Sequence, residues 1–455
     1  MNRNKSSSLG LLLIFGFIIS AVVYVFNSSS FEKNIPVIKI NNSGYWNLRD
    51  PLEITIDDAS GVKSYKVKLK TGSDNVDFKH EQFVTPNKHV SVEIKQLSNT
   101  LKMQDNKVVI VVEALDASKW NFFNGNSAAA EFMITVDKKK PLVNIVANSY
   151  MIAKGGSALV VFKATDENMK DLYIEINDKK FLAQPFYKEG YYASLIAWSI
   201  LNQDFRANII AKDYAGNITQ VNVPLYLKPK SYMVSNIKLE DRFLKGKIAE
   251  LASEFDETQG VEDSIEQFKI INEKIRAKNE ALIHKITSVV PQEMMSDFKM
   301  IPMYPLKNGQ VVAHYGDYRK YSYNGKDVSE SYHMGLDLAS NAMSPIMPQN
   351  SGQVVFADYN GLYGNMPIIH HGLGLYTLYG HCSSLNVSSG TFVDGNLNTV
   401  IANTGKSGYA MGDHLHFGVL VQGVEVRPEE WMDKEWIKLN VTQVIDSSKA
   451  LIDKM

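Results

Sequence analysis

Gly412-Asp413-His414-Leu415-His416-Phe417-Gly418-Val419 is the stretch on which the reading of this chain turns. In an extended strand, side chains at i and i+2 point to one face, so His414 and His416 can look into the same cleft. Upstream stands His333-Met334-Gly335-Leu336-Asp337, whose His and Asp, four apart, share a face on either a strand or a helix. A catalytic zinc site takes three N/O ligands from the protein and leaves a fourth position open. The two motifs supply four candidate groups, one more than needed, and His381 in Leu378-Tyr379-Gly380-His381 is a fifth. Seven of the ten histidines lie beyond Met300: His314, His333, His370, His371, His381, His414 and His416.

Glycine-rich frames surround these motifs. Gly316-Asp317-Tyr318-Arg319 precedes the first. His371-Gly372-Leu373-Gly374-Leu375-Tyr376-Thr377-Leu378-Tyr379-Gly380-His381 stands between them, and Asn403-Thr404-Gly405-Lys406-Ser407-Gly408 leads into the last. In order and approximate spacing, from about Pro305 to Trp431, the sequence resembles the lysostaphin-type (LytM-type) zinc metallopeptidases, enzymes that cut peptides of bacterial peptidoglycan.

The resemblance implies one Zn²⁺ per catalytic domain, held by His333, Asp337 and His416. It implies that His381 and His414 flank the attacking water as the catalytic pair. A neutral histidine there can accept a proton, and a second can hydrogen-bond a developing oxyanion. Cys382 departs from the family, which usually has Leu after that histidine; a small buried apolar role is expected for it. His370 is expected to be structural, and His314 is assigned nothing. Thr404-Gly405-Lys406-Ser407 looks like part of a phosphate-binding loop, but that loop needs Gly where Val400 stands, so a tight turn is expected instead.

Working outward, residues 241 to 286 change to a helical period. Phe243, Leu244, Ile248, Leu251 and Phe255 mark one apolar stripe. After Gln259-Gly260, Ile265, Phe268, Ile271, Ile275, Leu282 and Ile286 mark another. A helical hairpin packed on its neighbour is expected, with a cover over the active site as the sharper alternative.

From Phe31 to Lys230 the texture is β, with a weak internal repeat. Pro36-Val37-Ile38-Lys39-Ile40 is echoed by Pro141-Leu142-Val143-Asn144-Ile145. Each unit ends in an apolar strand and an Asp-containing turn, Ala114-Leu115-Asp116-Ala117 and Asp213-Tyr214-Ala215-Gly216-Asn217. The pattern resembles the immunoglobulin-like modules of bacterial surface proteins, and two β-sandwiches fit the length. These modules are expected to act as spacers or as surfaces for protein partners.

At the N-terminus, Leu9 to Phe26 is nearly all apolar, and Arg3 and Lys5 precede it. As a helix it approaches the thickness of a bilayer, and the flanking charge keeps the tip cytoplasmic. A single-pass anchor in a bacterial inner membrane is expected, with the body in the periplasm or cell envelope; a cleaved signal peptide is the competing reading.

Composition closes other routes. Lys+Arg 48 against Asp+Glu 49 gives a net charge of -1, and Lys138-Lys139-Lys140 is the longest basic run, so no nucleic-acid partner is expected. One cysteine allows neither an intrachain disulfide nor a cysteine-based zinc site. The chain is therefore expected to be mainly β. Residues 1–30 form the tip and transmembrane helix, 31–138 and 139–230 the two sandwiches, and 231–300 a helical linker. Residues 301–440 form an antiparallel-β peptidase domain, and 441–455 a tail. The expected function is peptidoglycan endopeptidase; the alternative is a non-catalytic activator of other wall hydrolases, or an envelope scaffold.

Overall fold

The computed structural model describes residues 5–72, 74–95 and 106–455, so Arg3 lies outside the described residues. The chain is mainly β, with an apolar helix at its N-terminus, Lys5–Asn27. Within it Gly10–Asn27 has a mean hydropathy of 2.3 and is exposed along its length, enough by length and composition to cross a membrane. The chain divides into two compact units, the first being residues 1–141 with 166–170 and 212–218.

The first unit is built on Leu52–Thr71, which pairs antiparallel with Val37–Ile40, Asp74–Ile94 and Lys107–Asp116. Its alternating residues Ile54, Ile56, Val67 and Leu69 are buried with Trp46, Val92, Ile110 and Val112. The strands form one connected six-stranded sheet, where two separate sheets were expected. Asp116 ties the closing turn by accepting from the N–H and side-chain amide of Asn126 (2.7 and 2.8 Å). Asp213 does the same with Asn217 (2.7 and 2.8 Å). Glu32, Asp58 and Asp116, and likewise Asp137, Asp166 and Asp213, cluster around these turns. Their oxygens accept turn donors such as Ser60, Gly61 and Asn168, which accounts for the clustering.

The second unit holds 142–165, 171–211 and 219–455. Its first part has two four-stranded sheets, one of them centred on Ser157–Thr165 between Tyr191–Ala197 and Leu142–Asn148. The last helix, Gln443–Ile452, packs against Leu142–Asn148 and Ser157–Thr165, burying Val444, Ile445 and Ile452.

The candidate site stands on an eight-stranded antiparallel sheet. Its order is Gln310–Ala313, Leu336–Ala339, Leu415–Val421, Leu375–Gly380, Asn365–Gly372, Gly352–Tyr359 and Phe392–Val393, with Val424–Val426 beside Leu415–Val421. A three-stranded sheet lies apart from it: Val234–Lys238 runs parallel to Tyr318–Tyr323, which pairs antiparallel with Lys326–Tyr332.

Residues 241–252 and 264–287 are helical, separated at Gly260, whose φ of +75° suits glycine. Asp263 caps the second helix by accepting from Ile265 N–H (2.9 Å). Leu244, Ile248, Leu251, Phe268, Ile271 and Ile275 are buried in one core with Tyr321, Tyr363, Met366, Leu378 and Leu420. The stripe then passes through Asn279 to Ile283, and Leu282 is exposed. Asn279 earns its place on the buried face with a hydrogen bond, accepting from Leu362 N–H (2.9 Å). The helical segment is thus a wall of the C-terminal core.

Candidate metal centre

Strand register brings the motif residues together. Asp337 pairs with His416, and His416 in turn pairs with Gly380, one residue before His381. His333 arrives differently from the expected shared face of one element. It lies outside the flanking strands Lys326–Tyr332 and Leu336–Ala339, in a bend through Met334-Gly335. Gly335 permits this approach, because a Cβ there would lie 2.5 Å from the His416 ring.

Three donor atoms converge. His333 Nε2 lies 3.0 Å from Asp337 Oδ1, His416 Nδ1 lies 2.9 Å from the same oxygen, and the two nitrogens are 3.2 Å apart. All three residues are buried. His333 Nδ1–H donates to the carbonyl of His314 (2.9 Å), which leaves Nε2 as the lone-pair nitrogen facing the group. Burial pushes His416 down to about 4, keeping it neutral and able to ligate. Two imidazole nitrogens and one carboxylate oxygen converging in this way fit a divalent metal of the zinc type.

His381 and His414 stand beside this group, their rings 4.8 Å apart. His381 has a left-handed φ of +64°, uncommon for a residue with a side chain. Its Nδ1–H donates to the Ser407 carbonyl (2.9 Å), and His414 Nδ1–H donates to Gly412 (2.8 Å). His381 is left with Nε2 as an acceptor, and His414 Nε2 lies 3.7 Å from Asp337 Oδ1. Burial, with the neighbouring His414, pushes His381 down to about 3. The Thr404–Ser407 stretch is therefore the turn that orients His381; His414 N–H closes it on the Gly405 carbonyl (3.0 Å).

The other histidines and the cysteine stay out of the group. His370 stacks on Tyr376 (4.5 Å), and His371 bonds the Ser351 carbonyl and Thr377 (2.9 and 2.8 Å). Cys382 is buried, its thiol donates to the Tyr379 carbonyl (3.2 Å), and burial pushes it up to about 12.

The group opens into a cleft of about 620 Å³. Ile237, Phe243, Arg276, Arg319 and Tyr321, all before His333, form one wall of its lining. Tyr363 links wall and centre, with its ring 5.3 Å from His416 and its hydroxyl 3.5 Å from Glu280. Sequence reasoning missed the His314 carbonyl, Tyr363 and this wall. A backbone acceptor has no residue-type signal, whereas Arg319 stood in a quoted motif with no role attached.

Residues 331–428 match the profile of Peptidase family M23, and this segment is an M23 (LytM/lysostaphin-type) peptidase domain. Over 96 residues it is 33% identical to the DD-carboxypeptidase/endopeptidase Mpg of Neisseria meningitidis serogroup B, covering 21% of this chain and 22% of Mpg. It is 30% identical over 113 residues to the peptidoglycan DD-endopeptidase ShyB of Vibrio cholerae, covering 25% of each. It is also 30% identical over 100 residues to the murein hydrolase activator EnvC of Escherichia coli K12, covering 22% of this chain and 23% of EnvC. The similarity thus spans about a quarter or less of each of these relatives.

Proposed function

We propose that this protein is a membrane-anchored zinc endopeptidase that hydrolyses amide bonds in peptidoglycan stem peptides or cross-links, remodelling the cell wall. The observation that carries the reading is the convergence of His333 Nε2, Asp337 Oδ1 and His416 Nδ1, with the rings of His381 and His414 alongside, 4.8 Å apart. His333, Asp337 and His416 would hold Zn²⁺, which lowers the pKa of water toward about 7 and polarises a carbonyl. One of His381 and His414 takes the proton from the attacking water, and the other steadies charge on the carbonyl oxygen. The apolar helix serves as the inner-membrane anchor, and the β modules, immunoglobulin-like in our reading, hold the peptidase out in the periplasm. The intact set of five side chains weighs against the activator reading that similarity to EnvC raises.

The test uses the full chain in detergent, loaded with zinc, on purified peptidoglycan, with mass spectrometry of released fragments. Wild type should release fragments with new amine and carboxyl ends. His416→Ala should release none and fall from about one zinc per chain to below about 0.1. A zinc-loaded wild type that yields no products on several wall types would refute the enzyme reading in favour of the activator.

A further inference from the structure

Arg276 and Arg319 both line the cleft, yet only one has donors to spare. The Arg276 Nε and Nη2 donate to the carbonyl and side chain of Asn272 (3.1 and 2.9 Å). Its Nη1 faces Glu280 at 3.7 Å, and Tyr409 stacks on it. It is a structural cation. Arg319 is held by Nε alone, which donates to Asp317 Oδ2 (3.3 Å). Asp317 is buried and fixed on its other oxygen by the Ser235 hydroxyl (2.8 Å). The two terminal nitrogens of Arg319 have no protein partner among the described residues. The guanidinium is therefore braced from behind with its fork unused, the geometry that takes a carboxylate in two parallel hydrogen bonds.

Register fixes where that fork stands. Arg319 pairs with Ser235 on one side and with Ser331 on the other, so the three share a face with Ile237 and Tyr321, which line the cleft. Ser331 precedes His333 by two residues, about 7 Å of extended chain. Asp317 is the carboxylate that Arg319 already contacts; of those lining the cleft, Asp337 belongs to the metal group and the others lie elsewhere. Asp413 is engaged by Thr404 Oγ1 and Met343 N–H (2.6 and 3.1 Å), while Glu240 stands exposed near Lys238 at the mouth.

We propose that Arg319 is a specificity-determining residue that binds a free carboxylate of the substrate, about one or two residues from the bond that is cut. The preferred substrate is then an anionic peptide, such as a cross-link through a diamino dicarboxylic acid, over a neutral glycine bridge. This rests on the endopeptidase reading above.

The experiment compares two peptides on the zinc-loaded full chain. They are identical except that one carries the carboxylate near the scissile bond and the other its carboxamide. Wild type should favour the carboxylate by roughly 10- to 100-fold in kcat/KM, the range of a charge-assisted pair. Arg319→Gln should erase the preference by raising KM for the carboxylate peptide by the same roughly 10- to 100-fold, far more than for the carboxamide peptide. Arg319→Lys should restore part of it. Equal use of the two peptides by wild type overturns the assignment and leaves the endopeptidase reading standing, and this result needs no variant to fold. An equal loss on both peptides in Arg319→Gln also overturns it, making Arg319 a partner of Asp317 only. Cleavage of neither peptide, with no binding of the carboxylate peptide by calorimetry, removes the carboxylate site along with the enzyme.

Discussion

Glu430 is a buried acid that the proposed chemistry does not use, and its environment sets a measurable pH dependence. It sits in the short helix Pro428–Met432, with 6% of its surface exposed. One oxygen accepts from Ser157 N–H (3.0 Å), and the other lies 3.4 Å from Arg427 Nη1. Burial pushes its carboxyl up from 4.5 to about 7, with Glu429 adding to the rise and Arg427, Ser157 and Lys230 opposing it. Between those values the folded protein keeps a proton that the unfolded chain has released. Stability is therefore full below pH 4.5, falls as pH rises toward 7, and is flat beyond. At ~1.4 kcal/mol per tenfold change in proton affinity, the loss is about 3 kcal/mol.

Glu430→Gln removes the titration while keeping an oxygen for Ser157 N–H, and it leaves Arg427 with a neutral neighbour at every pH. Its stability minus that of wild type should rise by about 3 kcal/mol between pH 4.5 and 8. Urea unfolding of the full chain at four pH values, followed by the fluorescence of buried Trp431, measures this. Taking the difference cancels other groups that titrate in the same window. One is His284, raised by its bond to Glu425, whose contribution is likewise lost as pH rises. A difference that stays constant within about 0.5 kcal/mol would refute a neutral Glu430 in the fold.

Two further outcomes test the packing. Phe268 is fully buried against Tyr321 (rings 5.1 Å apart), so Phe268→Ala should cost about 3 to 5 kcal/mol in urea unfolding; a cost below about 1 kcal/mol would contradict its place in the core. Cys382 should resist a maleimide at pH 7.5 for hours and react once unfolded, since its thiol is buried and raised to about 12; rapid labelling of native protein would reopen a redox role.

Where the sequence was legible, the information resides in side-chain identity. His333, Asp337, His381, His414 and His416 announce themselves by residue type and frame, and the structure gathers them. The long apolar alternation of Leu52–Thr71 and the helical stripe through Leu251 and Ile275 are equally plain. What stayed hidden depends on backbone and register. A 3.6-residue period from Ile275 lands on Leu282, but the buried face runs in steps of four through Asn279 to Ile283, and a polar Asn disguises the stripe. The partner of Asp116 was not legible, because it is Asn126, beyond the left-handed turn at Trp120–Phe123. His333 and Asp337 meet across a glycine bend that no helical or strand spacing describes.

The distribution of these residues along the chain separates chemistry from selection. Every side chain proposed to bind metal or move a proton lies within 331–428, the span of the family match. One wall of the cleft, namely Ile237, Phe243, Arg276, Arg319 and Tyr321, comes from residues before 331. That wall cannot drift freely, because Phe268 and Ile271 pack into the same core as Tyr363, and Tyr363 touches His416. Substitutions there can change which peptide is bound while the register of Asp337, His416 and Gly380 keeps the reacting groups in place. On the proposed reading, residues before 331 are therefore one place where selection can vary without touching the ligands, and Tyr409 to Asp413, which line the same cleft, are another.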